Sequence, residues 1–334
     1  MTKLLNSWVL SSAVQKLIRR SNIEGALECA LLLEQINPGY MRRRLPVIAY
    51  EDIGAGNESY CLKVTQRASR AFDWEPPETA VAEAVAALAG SLKSRTCCDF
   101  ACLLEFDPAC RAFKATLQGR SEDDLLALAL DKEASWLDRA CALELLCMKR
   151  GRPNAQTLAA LSKVSDAFQL SMEGCVLFVG HKSDDRLMPL TLPLAMEVSR
   201  VEPRQIVDSA GLPGSDVWVN GVPLCALDMH SSMGRKMLKV FCRSSSEIRR
   251  FARECRPEVD VASAVSLALF HLDSGRMKQQ IVTSASEELR ERYETMELAR
   301  CGISAAQRIQ LYAAITADAD RLNEVRESMI WQEA

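Results

Sequence analysis

The sequence predicts an all-α fold, in which a multi-helix bundle is followed by a second helical domain. Apolar residues recur at three- and four-residue steps along most of the chain, as on one face of a helix. Residues that cap helices, such as Asn22 and Ser121, stand before several of these runs. Prolines and glycines concentrate at about residues 181–230, where we predict an irregular segment.

The clearest helices lie in the first hundred residues. Val14, Leu17 and Ile18 share one helix face, and Asn22 is placed to accept from the first free N–H groups of the next helix. Pro38 and Gly39 then separate the second helix from a third.

Several short motifs of this region occur in a recognisable order. They are Ser-Ala-x-x-Lys-x-Ile-Arg-x-Ser from residue 12, Ala-Leu at 26 and 27, Pro-Gly-Tyr-x-x-Arg-Arg-Leu at 38–45 and Glu-Asp-Ile-Gly at 51–54. In this order and spacing, residues 7–106 resemble the C-terminal helical region of the clamp-loader-like, replication-associated AAA+ ATPases of the RarA/MgsA family. The resemblance implies a collar-like helical bundle that serves subunit assembly and DNA transactions. It also implies a structural role for Arg43, Arg44, Glu51 and Asp52.

The ATPase half of that family has no counterpart in the sequence. No Gly-x-x-x-x-Gly-Lys-Ser/Thr phosphate loop occurs in the 334 residues, so the amide cradle and lysine that hold a nucleoside triphosphate are missing. We therefore expect no nucleotide cofactor and no ATP-driven activity of this chain by itself.

The overall composition suits a globular protein with a substantial core. The chain is 48% apolar and carries a net charge of −3, so attraction to nucleic acid has to come from local patches. The N-terminus lacks the pattern of a secretory signal, and no apolar run reaches the roughly 18 residues that a membrane span needs. We expect a cytoplasmic protein that does not contact membranes.

The thirteen cysteines do not predict a metal site. No Cys-x-x-Cys occurs, and the histidines at 181, 230 and 271 lie far from the close trio Cys97, Cys98 and Cys102. Reduced thiols and the absence of a metal are the expectation.

We divide the chain into residues 1–106, the family-like helical domain, and residues 107–180, a region of helical hairpins. Residues 181–230 form the irregular segment, in which residues 217–222 suit a tight hairpin. Residues 231–334 form a helical C-terminal domain. Its predicted helices are 231–243, 246–254, 257–272, 274–300 and 304–328, and the sparse apolar positions of the last two favour half exposure or a partner subunit.

Asp228 and His230 are the only candidate catalytic residues. They lie with Ser231 and Ser232 at a junction between a loop and a helix, where a general base or a bound anion would be favoured. The alternative is that Asp228 and the serines cap the helix and that His230 packs against it.

The candidate nucleic-acid-binding residues are cations that follow this junction. Only Glu247 and Glu254 offset them, and their spacing places them on helix faces, as phosphate contacts require. A solvated surface is the alternative. The residues are Arg235, Lys236, Lys239, Arg243, Arg249, Arg250, Arg253 and Arg256.

The sequence thus favours a non-enzymatic accessory protein that binds DNA or RNA and forms homo-oligomers or docks on a partner ATPase or nuclease. The process would be DNA replication, repair, or a mobile-element or antiviral (phage) defence system. Two alternatives stay open: an enzyme acting on a phosphodiester-type substrate through Asp228 and His230, and a pure protein-interaction scaffold.

Overall fold

Helices make up most of the residues that the computed structural model describes, which are 5–68, 77–148, 155–168, 187–201, 203–209 and 211–333. This confirms the all-α expectation. The helices of the first half are α1 (Ser7–Arg19), α2 (Ile23–Ile36), α3 (Tyr40–Ile48), α4 (Glu58–Ala68), α5 (Pro77–Gly90), α6 (Thr96–Phe106), α7 (Pro108–Leu117), α8 (Glu122–Leu130), α9 (Trp136–Met148) and α10 (Ala155–Ala167).

The second half adds helices and short strands. The helices are α11 (Leu187–Val198), α12 (Ser232–Ser244), α13 (Ser246–Glu254), α14 (Val261–Leu269), α15 (Ser284–Ala299), α16 (Ala305–Ala317) and α17 (Ala319–Glu333). The strands are β1 (Gln205–Val207), β2 (Trp218–Val219), β3 (Val222–Pro223) and β4 (Gln280–Val282). Strands β1 and β4 pair antiparallel, with Ile206 opposite Ile281.

The predicted tight hairpin is confirmed. Strands β2 and β3 pair antiparallel around Asn220 and Gly221, whose φ angles are +48° and +77°. Two consecutive left-handed residues suit a type I′ turn, and Asn-Gly is the dipeptide that adopts it most readily.

Side-chain caps start the helices where the sequence placed them. Asn22 Oδ1 accepts from Gly25 N at 3.0 Å, and Ser121 forms a capping box with Asp124 at the start of α8. Helix α6 is an exception, because its N-cap residue is Arg95, which makes no side-chain cap bond.

Two π-helical turns interrupt the regular helices. Residues 49–53 form the first and residues 270–274 the second. A π turn inserts one extra residue into the helical ladder, and such turns occur frequently at functional sites. The first carries Glu51 and Asp52, and the second carries His271 and Asp273.

One contiguous apolar core runs through the described residues, from Val9 to Ile330. Helix α1 packs on α2 and α5, and α6 packs on both α11 and α15. At the other end, α12 packs on α17 and α13 packs on α16. Buried residues of all four predicted segments belong to this core, although the segment boundaries themselves stay predictions.

The predicted irregular segment contains a helix that the sequence analysis missed. Pro189 and Pro193 argued against one, yet α11 is buried along most of its length. Pro189 lies in its first turn, where a missing N–H leaves no bond unmade, and packing against α6 and α9 stabilises the rest. Residues 181–186 lie outside the described residues, as do 69–72 and 149–150 at the predicted ends of two other helices.

Three predicted C-terminal helices differ from the observed ones. The helix predicted for 257–272 is α14 followed by the second π turn, and the one predicted for 274–300 begins only at Ser284, with Thr283 as its cap. The helix predicted for 304–328 is two helices that meet at Asp318. Leu311, Ile315 and Leu322 of these helices are buried in the chain's own core.

Candidate functional site

The eight predicted nucleic-acid-binding cations are all exposed in the structure. We call them together the basic surface. They lie on α12, on α13 and just after α13, and they are Arg235, Lys236, Lys239, Arg243, Arg249, Arg250, Arg253 and Arg256.

Burial of the apolar face of α12 directs the cations of this helix toward solvent. Met233, Met237 and Phe241 are buried one helical turn apart, in contact with the core. Because residues three and four apart share a helix face, this burial leaves the face with Lys239 and Arg243 toward solvent.

Helix α13 repeats this arrangement over a shorter length. Ile248 and Phe251 are buried, whereas Arg249 and Arg253 are exposed on neighbouring turns. These two arginines border a surface depression of about 430 Å³ with Ser246 and Ala252. The guanidinium groups therefore sit at the edge of a concave surface.

Ser245 and Asp318 fix the junction between the two basic helices. Ser245 Oγ accepts from Ile248 N at 3.0 Å, which caps α13, and its hydroxyl donates to Asp318. The same carboxylate accepts from Glu247 N at 3.2 Å. A residue at the break between α16 and α17 thus holds the start of α13.

Few carboxylates neutralise the basic surface. Arg250 pairs with Glu247, and Arg235 donates to the carbonyl oxygen of Met229 at 3.1 Å. Within the described ranges, four members make neither an ion pair nor a side-chain hydrogen bond: Lys239, Arg243, Arg253 and Arg256.

Arg321 is a neighbouring cation that sequence spacing did not reveal. Its Nε donates to Ser244 Oγ at the end of α12 at 3.2 Å, while its Nη1 pairs with Glu324 at 2.8 Å. It lies on α17, more than sixty residues from the basic helices in sequence, so only the packing of α12 against α17 shows it.

Asp228 lies inside the protein rather than at its surface. Its carboxylate lies 2.7 Å from Lys16 Nζ on α1 and 3.0 Å from His230 Nδ1. Burial opposes the charge on Asp228, but Lys16 and His230 outweigh it and hold the pKa of this carboxyl far below its ordinary value. The ion pair connects the N-terminal helix with the start of α12.

The surroundings of Asp228 also begin α12. Ser231 Oγ accepts from Gly234 N at 2.9 Å and caps the helix. A Cβ at Gly234 would stand 1.7 Å from the carbonyl oxygen of Asp228, so only glycine fits this close approach. The His230 side chain is 54% exposed and packs edge-on against Phe270. The structure therefore places Asp228 and His230 together, with the histidine reachable from solvent.

Glu51 and Asp52, the acids to which the resemblance assigns a structural role, pair mainly with cations other than Arg43 and Arg44. Arg19 of α1 donates to Glu51 at 2.7 Å and to Asp52 at 2.8 Å, and Arg95 lies 3.4 Å from Asp52. Burial opposes the charge of Glu51, but Arg19 and Arg95 prevail and lower its pKa to about 2. Arg44 approaches Glu51 only to 3.9 Å.

Arg43 makes a different contact. Its guanidinium lies 5.9 Å from the centre of the Tyr40 ring, on α3, a distance that suits a cation–π contact. Of the two predicted arginines, Arg44 is therefore the one near the acids.

Among the residues that the structure describes, neither a metal site nor a membrane span is found. The described residues contain no group of three or more His, Cys, Asp or Glu side chains that could hold a metal ion. Over the same residues, each helix is too short or too polar to cross a membrane.

Three comparisons with known proteins found no match to this chain. The chain matches no protein-family model, no curated protein and no solved structure.

Proposed function

We propose that this protein is a non-enzymatic accessory protein that binds nucleic acid through the basic surface and acts beside a partner ATPase or nuclease. The processes that we propose are DNA replication, repair, or a mobile-element or phage-defence process. The observation that carries the proposal is the exposure of all eight cations, on or just after two helices whose apolar faces are buried.

The charge balance of the two helices supports this proposal. Eight cations against Glu247 and Glu254 leave an excess of six positive charges in a chain whose net charge is −3. Phosphates attract such a cluster, and each neutralised phosphate releases condensed counterions. The overall negative charge argues against binding elsewhere on the surface.

A partner is supported by exposed aromatic side chains. Trp8 is 66% exposed at the start of α1, and Trp331 is 61% exposed near the end of α17. Large aromatic residues are enriched at protein interfaces. The same residues suit a homo-oligomer, in line with the assembly role that the resemblance to clamp-loader-like ATPases implies.

Charge reversal tests the proposed interface. We expect the triple variant Arg249→Glu, Arg250→Glu, Arg253→Glu to lose at least about tenfold in affinity for single- or double-stranded DNA or RNA at low salt. The matched control reverses Lys63, Lys132 and Arg200, which are also exposed but lie far from the basic helices in sequence. Equal affinity of the two triple variants would contradict the proposed interface and favour a pure protein-interaction scaffold.

Recovery of partners from cells tests the accessory role. We expect the tagged full-length chain to recover an ATPase or a nuclease together with nucleic acid, and nuclease treatment to separate partners held by protein contacts from those bridged by nucleic acid. If neither an ATPase, a nuclease nor nucleic acid is recovered, the accessory role is wrong.

The enzyme alternative keeps one supporting observation, the hydrogen bond between His230 Nδ1 and Asp228. A carboxylate at Nδ1 orients an imidazole whose other nitrogen is then available to act as a general base. The variant His230→Ala separates the two functions, since the side chain is half exposed and its loss leaves the pair of Lys16 and Asp228 in place. Unchanged nucleic-acid binding is expected on our proposal, and loss of phosphodiester turnover on the alternative. The double variant Asp228→Asn, His230→Ala serves the same comparison.

A further inference from the structure

A polar cleft of about 550 Å³ lies apart from the basic surface. Its floor is one face of the sheet formed by β1 and β4, where Val207 lies opposite Gln280 and Gln205 lies opposite Val282. Helices α6 and α15 form its walls, and Arg308 of α16 lies at its border. The cleft shares no residue with the basic surface.

The floor of the cleft is fixed on both sides. Lys93 bridges to β4 on the edge away from β1, with Lys93 N donating to Gln279 O at 3.0 Å and Ile281 N donating to Lys93 O at 2.9 Å. Strand β4 is thus held between two neighbours. A side chain on this strand has a defined position before any ligand arrives.

Three polar side chains lining the cleft lack a partner. Gln280 is 6% exposed, and its Oε1 accepts no hydrogen bond. The Nε of Arg276 is buried and donates to no acceptor. Asp99 is 4% exposed and makes no ion pair with a described residue, although Arg95 and Arg290 lie close enough to act on its charge. Buried polar groups are rarely left in this condition, because each costs the free energy of its lost hydration.

The other cations that line the cleft are already paired. Arg290 pairs with Glu294 at 3.0 Å, and Arg308 pairs with Glu291 at 3.0 Å. Arg95 faces the buried acid Asp52. Glu287 also lines the cleft without an ion pair, but it is exposed to water, so the buried groups that still need partners are one cation, one carboxylate and one amide oxygen.

We propose that the cleft binds a zwitterionic α-amino acid, whose carboxylate pairs with Arg276 and whose ammonium group pairs with Asp99 and the side-chain oxygen of Gln280. A purely anionic ligand would leave Asp99 and Gln280 unpaired beside the carboxylates of α15, and a purely cationic one would leave Arg276 unpaired beside Arg290. Only a ligand with both charges satisfies all three groups.

The protonation of Asp99 agrees with this ligand. Burial raises the pKa of Asp99 to about 6, while Arg95 and Arg290 oppose the rise, Glu294 adds to it and His271 opposes it. The ionised form that an ammonium group needs is therefore present at neutral pH and lost below about 6. We expect amino-acid affinity to fall as the pH drops through this value. The other titratable groups that face the cleft are Arg276, Glu287, Glu291 and Arg308.

The experiment uses the full-length chain and each protein amino acid separately at millimolar concentration, with thermal shift as the screen and calorimetry as the measurement. We expect at least one amino acid to bind. Its N-acetyl derivative and its carboxamide should each bind at least about tenfold more weakly, because each lacks one of the two charges. These derivatives test the proposal on the unaltered protein.

Substitutions then assign the contacts. Arg276→Gln and Asp99→Asn are each expected to lower the affinity by about tenfold or more. The control Lys278→Gln removes an exposed charge two residues from Arg276, outside the cleft, and should leave the affinity unchanged. The proposal is wrong if no amino acid binds, if the blocked derivatives bind as well as the free amino acid, or if folded cleft variants bind as tightly as the Lys278→Gln control.

Discussion

Asp273 holds two buried arginines from opposite ends of the chain. Its carboxylate lies 2.8 Å from Nη2 of Arg20, the residue that follows α1, and 2.7 Å from Arg326 Nη2 on α17. Burial opposes the charge, but Arg326 and Arg20 outweigh it and hold the pKa of Asp273 below its ordinary value. A second acid, Asp216, meets Arg20 from the solvent side and is 62% exposed.

Removal of this carboxylate would leave both guanidinium groups buried without their main partner. We expect Asp273→Ala to lower the free energy of unfolding by about 3–5 kcal/mol, as measured by urea denaturation. The control Asp216→Ala, which removes an exposed partner of the same arginine, should cost less than about 1 kcal/mol. Similar losses for the two variants would contradict the central role of Asp273.

Ionisation of Asp99, unlike that of Asp273, lowers the stability of the folded protein. Its pKa is raised in the folded protein from 3.8 to about 6, so the folded state binds the proton more tightly than the unfolded state. Stability from this group is complete below about pH 4 and is lost as the pH rises to about 6.

Asparagine at position 99 cannot ionise, so the variant Asp99→Asn does not lose this stability as the pH rises. We expect Asp99→Asn to raise the free energy of unfolding of the ligand-free protein at neutral pH by on the order of 1 kcal/mol, less than the shift alone implies because a buried amide also needs partners. Denaturation at several pH values checks this, since the difference should disappear below about pH 4. A variant that is less stable at every pH would show that Asp99 has a partner in the folded protein.

At the scale of elements, Ser245 connects α12 and α13 to the break between α16 and α17. It ends α12, caps α13 and donates to Asp318 between α16 and α17. The basic surface depends on this connection, because it sets the direction in which α13 leaves α12.

Loss of the Ser245 hydroxyl removes the cap and the bond to Asp318 together. We expect Ser245→Ala to lower the free energy of unfolding by about 1–2 kcal/mol, measured by urea denaturation. Ser246→Ala is the control, because Ser246 is exposed and one position inside the helix, and it should change stability by less than about 0.5 kcal/mol. Equal effects would show that Ser245 does not cap α13.

Elements whose ends and spacing are set by neighbouring residues could be predicted from the sequence. Helix α13 was predicted with its observed ends, since a serine cap precedes it and its apolar residues repeat at helical spacing. Strand β4 was missed because its three residues are held by β1 and Lys93, both more than seventy residues away. The break at Asp318 was missed for the same reason, because its carboxylate bonds to Ser245 and Glu247.

A candidate site, likewise, could be predicted only where its residues lie close together in the sequence. The basic surface could be found from the sequence because its members lie within about twenty residues and share helical spacing. The cleft could not, since Asp99, Arg276 and Gln280 come from distant segments that only folding brings together. The buried position of Asp228 was equally hidden, because its partner Lys16 lies on α1.

At the scale of the whole molecule, α1 connects the beginning of the chain to its end. Three buried cations on this helix or at its C-terminal cap pair with distant acids: Lys16 with Asp228, Arg19 with Glu51 and Asp52, and Arg20 with Asp273. Breaking a buried ion pair costs several kcal/mol, so the N-terminal third and the C-terminal helices stabilise one another. The family-like region is therefore part of a larger body here, and the basic surface is held by that body.

The salt dependence of nucleic-acid binding tests the central claim most directly. The measurement is the affinity of the full-length protein for duplex DNA over a series of salt concentrations, with single-stranded DNA and RNA in parallel. We predict that the logarithm of the association constant falls with the logarithm of the salt concentration at a slope of about −3 or steeper. Neutralising Arg249, Arg253 and Arg256 to glutamine should make that slope shallower by about 2 to 3. Absence of binding at low salt, or a slope that the neutralised variant shares with the wild type, would contradict the account.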